Sequence, residues 1–177
     1  MPEPVILKST EFLDKRGKLE KLLWDDCEWK SLMNPITEVF MTKSIKGSIR
    51  GLHFQLPPYA VNKVIKVING AVLEIVVDLR VGSPNFGFMR TIELTSDTSR
   101  SDSGIFIPKG FAHGYQALRD DTEVIYFMDG PFNQEFDAGI NTDSFDIEWP
   151  IMEAVKSTRD NNLTKLSDFK SPFIYEK

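Results

Sequence analysis

Two histidines, each set in a compact block, are the residues of this chain best suited to moving a proton. His53 lies in Arg50-Gly-Leu-His-Phe-Gln55, with Lys63 eight positions beyond Gln55, and His113 lies in Ile107-Pro-Lys-Gly-Phe-Ala-His-Gly-Tyr115. Imidazole accepts a proton readily near neutrality, its ordinary pKa being about 6.5. A lysine such as Lys63, fixed beside a carbonyl oxygen, would stabilise an enolate because its charge is in place before the oxygen becomes negative. Each residue also has a structural reading. His53 would serve equally as a hydrogen-bonded strand histidine, Arg50 as half of a surface ion pair and Lys63 as a strand lysine paired with Glu74. Tyr126 fits a core position with its hydroxyl satisfied, and Asp160 closes the capping box Ser157-Thr-Arg-Asp160. A metal site is the weaker reading, because His53 and His113 stand sixty positions apart with no H-x-H or H-x-x-x-H pair.

The elements that must hold these residues read as strands. Ser48–Gln55 would put Arg50 and His53 on opposite faces under strict alternation, so both can enter one cavity only if the strand is irregular at Gly51, and a bulge is expected there. Lys63–Ile68 and Ala71–Arg80 flank Asn69-Gly70, the preferred two-residue turn, and predict an antiparallel hairpin. Its register would pair Ile65 with Glu74 and Lys63 with Val76, making Lys63 and Glu74 diagonal neighbours. The opposite face (Val64, Ile68, Ala71, Leu73, Ile75, Val77) is the better core candidate, with Lys66 as its exception. Turn clusters at Asp14–Gly17, Gly82–Pro84, Ser96–Gly104, Pro108–Gly110 and Asp129–Pro131 separate short β-branched and aromatic segments, the spacing of an all-β sandwich or barrel. A helix is expected after Ser157, ahead of Leu163 and Leu166.

Composition sets the outer bounds. The 177 residues, 41% hydrophobic and 27% charged, suit one soluble domain with a sizeable core. No apolar run approaches the roughly 20 residues a membrane helix needs, so no membrane span is expected. The start, Met-Pro-Glu-Pro, has no basic segment followed by an apolar core, and Cys27 is alone, which together set a cytoplasmic location as the expectation. With 21 basic against 26 acidic side chains and no basic stripe interleaved with aromatics, nucleic acid is not an expected partner. An anionic small ligand needs only a few local cations, and Arg16, Arg50, Lys63 and Lys66 are available.

Taken together, Arg50–Gln55, Lys63, Asp78-Leu-Arg-Val-Gly-Ser-Pro-Asn-Phe-Gly87, Ile107–Gly114 and Ile147-Glu-Trp-Pro150 closely resemble the dTDP-4-dehydrorhamnose 3,5-epimerase family. The blocks occur in the family's order and at nearly its spacing over most of the chain. The resemblance implies a cupin-type jelly roll (a double-stranded β-helix) with a short C-terminal helical segment, residues 1–177 forming a single epimerase-like domain. It further implies a homodimer without metal or cofactor, acting on a nucleotide-linked 4-keto-6-deoxyhexose in deoxysugar biosynthesis for a surface polysaccharide or glycosylated metabolite. By the same resemblance His53 is the base, Asp160 holds its tautomer, Tyr126 reprotonates from the opposite side, and Lys63 stabilises the enolate with His113 lining the pocket. Arg50 and Arg16 match diphosphate-binding positions, Phe12 helps hold the base, and Gln55, Glu74 and Glu20 complete the implied substrate-side set. Part of that set would come from the partner subunit.

The chain departs from the family at several of these places. Glu38-Val-Phe40 stands where Gln-x-Asn is usual, Glu74 where Asp is usual, Phe132 where a second tyrosine is common, and Asp137-Ala-Gly-Ile140 where Glu-x-Gly-Ile is usual. Arg16-Gly-Lys-Leu-Glu20 is one residue shorter than the family spacing. The proton-transfer set is complete while the substrate-holding set is altered, so an epimerase at C3, C5 or both is expected. A ketoisomerase on the same scaffold and a non-catalytic nucleotide-sugar binding domain are the alternatives.

Overall fold

The computed structural model describes residues 2–8, 10–24, 26–97 and 102–176. Its strands, in chain order, are β1 (Val5–Lys8), β2 (Thr10–Asp14), β3 (Gly17–Lys21), β4 (Glu38–Ser44), β5 (Ser48–Gln55), β6 (Lys63–Asn69), β7 (Ala71–Asp78), β8 (Met89–Thr95), β9 (Asp102–Ile107), β10 (Phe111–Ala117), β11 (Thr122–Met128), β12 (Asp137–Gly139) and β13 (Val155–Lys156). One five-stranded sheet runs β1-β9-β6-β11-β4, and a second runs β12-β5-β10-β7-β8 with β13 added alongside β5. The two sheets face each other as the walls of an all-β jelly roll. β2 and β3 form a separate two-stranded ribbon.

The interior between the walls is filled by Ile65, Val67, Val72, Val76, Leu94, Ile105, Tyr115, Val124 and Tyr126. Both sheets are covered outside as well. Cys27, Trp29 and neighbouring residues pack on Val64, Phe106 and Phe127 of the five-stranded sheet, and the C-terminal segment packs Phe169 and Phe173 on Phe54, Ile75 and Val77 of the other. Strands buried on both faces carry near-continuous apolar runs, which is why β6 and β7 show so little alternation.

That double burial overturns the expected hairpin. β6 and β7 do not pair; β6 lies between β9 and β11, and β7 between β10 and β8. The chain changes sheet at Gly70, whose φ of +84° favours glycine and whose carbonyl accepts from Ser96 N–H and the Thr95 hydroxyl. The face predicted to be the lesser one, with Ile65, Val67, Val72 and Val76, lines the interior of the roll, while Val64, Ile75 and Val77 face the outer layers. Lys66 is buried on that outer side and ion-paired to Glu20 at 2.7 Å.

Two further expectations change. The stretch Ser96–Gly104 includes residues 98–101, which lie outside the described residues, and β9 already begins at Asp102. The C-terminal helix α1 is a single turn, Thr158–Asn161, ending before Leu163; Leu166 belongs to a separate 3-10 turn, Leu166–Asp168.

Candidate active site

Gly51 brings the first block into register with the second. β5 and β10 pair His53 with His113 and Arg50 with Tyr115, so three steps on β5 oppose two on β10, and the bulge expected at Gly51 is present with φ of +124°. The partner strand is equally bare there: a Cβ on Gly51 would lie 2.7 Å from the Gly114 Cα. With alternation interrupted, Arg50 and His53 both border one cavity of about 630 Å³ between the sheets. Lys63, His113, Tyr126, Gln55 and Asp160 border it too.

His53 Nε2 lies 2.6 Å from Asp160 Oδ1, leaving Nδ1 without a hydrogen bond among the described residues. Asp160 sits at the start of α1 in the predicted cap: its N–H donates to the Ser157 hydroxyl at 3.0 Å, while its carboxylate turns away to His53 and to the Gly51 N–H. Burial opposes its ionisation, but these hydrogen bonds, chiefly that of His53, hold Asp160 below the usual carboxylate range. Asp160 therefore serves the cap through its N–H and holds His53 through its carboxylate, with different atoms.

Across the cavity, Lys63 Nζ lies 3.2 Å from His113 Nε2, and His113 Nδ1 lies 3.0 Å from Glu74 Oε1. Burial dominates all three groups. It pushes Lys63 down to about 8, His113 well below 6.5 and Glu74 well above 4.5. Glu74 Oε2 is buried without a hydrogen-bond partner among the described residues, as fits a neutral carboxyl. Tyr126 comes from the five-stranded sheet, stacked on Phe40 with ring centroids 4.5 Å apart, and burial raises its hydroxyl well above 10.

The predicted substrate-side residues divide. Arg50 borders the cavity and donates from Nε to the Ser44 hydroxyl at 3.0 Å; Gln55 is occupied by the Tyr59 and Pro131 carbonyls and the Asn133 N–H. Arg16, Phe12 and Glu20 are not brought to this cavity. They lie on the β2–β3 ribbon, where Arg16 pairs with Asp14 in the exposed turn, Phe12 is 57% exposed and Glu20 binds Lys18 and Lys66. Among the cavity residues that the sequence did not single out as site residues are Arg159 and Asp137. Arg159 reaches His53 Nε2 at 3.0 Å and Asp137 at 2.6 Å. Their only sequence signals are adjacency to Asp160 and membership of the Asp137–Ile140 block. The divergent residues Glu38, Phe40 and Phe132 all border the cavity, Glu38 accepting the Phe132 N–H at 2.7 Å. Among the described residues no group of three His, Cys, Asp or Glu side chains is arranged to hold a metal ion, and no helix is long and apolar enough to cross a membrane.

The fold is a cupin-type jelly roll carrying a histidine–aspartate pair and a buried tyrosine on facing walls, and the family its sequence matches is one of isomerases. The profile of dTDP-4-dehydrorhamnose 3,5-epimerases matches residues 1–168. The chain belongs to that family. It is 37% identical over 134 residues to the dTDP-4-dehydrorhamnose 3,5-epimerase of Sinorhizobium fredii, covering 74% of this chain and 67% of that one. The Shigella flexneri enzyme of the same name is 37% identical over 129 residues, covering 72% and 70%. The crystal structure of the Sulfolobus tokodaii enzyme superposes with a TM-score of 0.86 at 32% identity, covering 95% of this chain and 93% of that one. That of the Bacillus anthracis enzyme, with TDP and PPi bound, gives 0.84 at 31% identity, covering 93% and 94%.

Proposed function

We propose that the protein inverts C3, C5 or both of a dTDP-linked 4-keto-6-deoxyhexose in deoxysugar biosynthesis. The observation that carries the reading is that His53 and Tyr126 approach one cavity from opposite sheets, with Lys63 beside them. A carbon next to a carbonyl loses its proton because the electron pair moves onto oxygen. His53, held by Asp160 through Nε2, takes that proton on Nδ1. Lys63 meets the charge that develops on the carbonyl oxygen. Tyr126 then breaks its O–H bond and forms a C–H bond on the other face of the sugar, and His53 releases its proton to solvent.

Arg50 holds the diphosphate in this reading, supported by its place at the cavity and by the TDP and PPi bound to the Bacillus anthracis relative. Arg16 and Phe12 reach the site from a second subunit of a homodimer; their exposure on a ribbon away from their own cavity supports this. The lone, buried Cys27 fits action in the reducing cytoplasm.

Proton NMR in deuterium oxide with dTDP-4-keto-6-deoxyglucose tests the reading. Loss of the C3 and C5 proton signals is expected with the purified protein and should vanish in His53→Ala. Exchange that persists in that variant removes His53 as the base, and a product whose carbonyl has moved marks a ketoisomerase instead.

A further inference from the structure

Behind Tyr126 stands a second buried tyrosine that the proposed reaction does not use. Tyr115 projects from β10, on the opposite wall from β11, and is 1% exposed. Its hydroxyl lies 2.8 Å from Thr42 Oγ1 and 3.1 Å from Ser44 Oγ, both on β4, and Ser44 in turn accepts from Arg50 Nε at 3.0 Å. The Tyr126 hydroxyl stands beside two of these groups, Thr42 and Tyr115. Three hydrogen-bonded hydroxyls, those of Thr42, Tyr115 and Ser44, therefore run from beside Tyr126 in the cavity wall to the cation at its mouth. An apolar interior would be served as well by phenylalanine at 115, and a buried hydroxyl is kept at no loss only when its hydrogen bonds are made.

We propose that Tyr115 is a positioning residue that aims the Tyr126 hydroxyl and returns a proton to it through the Thr42–Tyr115–Ser44 hydroxyl chain. The proposal rests on the epimerase reading above and concerns its second half. When Tyr126 gives its proton to the sugar carbon, a tyrosinate is left in a dry wall near Glu74. The Tyr115 O–H bond then breaks toward that oxygen, Tyr115 is resupplied from Thr42 or Ser44, and a water at the half-buried, cavity-lining Thr42 restores the last hydroxyl. The hydroxide left by that water is neutralised by the proton His53 sheds, so no charge accumulates over the cycle. A chain of hydroxyls suits this transfer because each is both donor and acceptor.

Tyr115→Phe and Ser44→Ala test it, with proton wash-out and inverted product followed together by NMR in deuterium oxide. Proton removal by His53 precedes the step assigned to Tyr115, so the ratio of inverted product to wash-out should fall about tenfold in Tyr115→Phe, the scale of one lost hydrogen bond to a reacting group. Ser44→Ala should lower the ratio in the same direction by less. The solvent isotope effect on product formation should rise in both. Product and wash-out falling in parallel would assign Tyr115 to packing alone and overturn the proposal, as would an unchanged ratio. A wild-type protein that washes out no carbon proton would overturn the epimerase reading itself, a result distinguishable from either.

Discussion

Glu74 and Lys63 are joined through the ring of His113 rather than by a direct ion pair. With Lys63 Nζ donating to Nε2, the Nδ1–H of His113 faces Glu74 Oε1. Burial favours the neutral form of each, so the array can present a single mobile charge, that of Lys63, to the cavity.

Activity should therefore decline as pH rises through about 8, where Lys63 loses its charge. The fold responds with the opposite sign. Between about 8 and the ordinary value of 10.5 the unfolded chain keeps a proton that the folded one has lost, so stability rises with pH in that window. Lys63→Met should remove both effects, lower kcat about 10²–10³-fold and raise stability at neutrality. Rate profiles and urea midpoints from pH 6 to 10 check it.

Glu74→Gln should be tolerated, because the amide resembles the neutral carboxyl that burial enforces. In the wild type the folded chain retains this proton above the ordinary carboxylate value while the unfolded chain loses it. Stability falls with rising pH from about 4.5 on this account, by up to ~1.4 kcal/mol per pH unit. The variant should show a flatter urea midpoint between pH 5 and 7, and an unchanged slope would show that Glu74 is ionised.

Asp160→Asn separates the two roles of that residue. The cap uses the Asp160 N–H and survives the change, whereas His53 loses its anion. Far-UV circular dichroism should be unaltered while kcat falls about 10²–10⁴-fold. Because the Asp160 carboxyl is held below its ordinary value, its contribution to stability is present above about pH 4 and is lost as pH falls through the folded value; acid titration of the variant should lack that loss.

Tyr126→Phe should lower formation of inverted sugar about 10²–10⁴-fold and proton wash-out far less, since His53 acts first. Phe40 can stack on the new ring as on the old. Chiral analysis of the product beside the NMR exchange rate checks the split.

Glu20→Gln addresses a residue that the family resemblance implies on the substrate side. Within its own subunit it lies on β3, paired with Lys66, which is buried on the outer side of β6. The substitution should lower stability by about 1–3 kcal/mol with KM unchanged, read by urea melts and initial rates.

The chemistry-bearing blocks were legible because glycine marks them: Gly51 announced the bulge that turns Arg50 and His53 to one side. Asn69-Gly70 misled for a related reason. The dipeptide signals a tight reversal, but pairing across it depends on which neighbours each strand finds, and β6 and β7 each found two in separate sheets. Arg159 was hidden because an arginine beside a helix cap reads as solvent-facing, and only the fold carries it back over His53. The Ser157 cap marked where the short helix starts, and nothing in a four-residue motif sets where a helix stops.

The bare contact between Gly51 and Gly114 makes this site fragile at positions that carry no functional group. A methyl at either would wedge β5 off β10 and swing the imidazole out of line with every reacting residue intact. In a saturation screen such lesions would mimic loss of His53. Libraries meant to retune which sugar is accepted should hold both glycines constant and spend their diversity on Glu38 and Phe132, where the wall can change shape without disturbing the ring stacked on Tyr126.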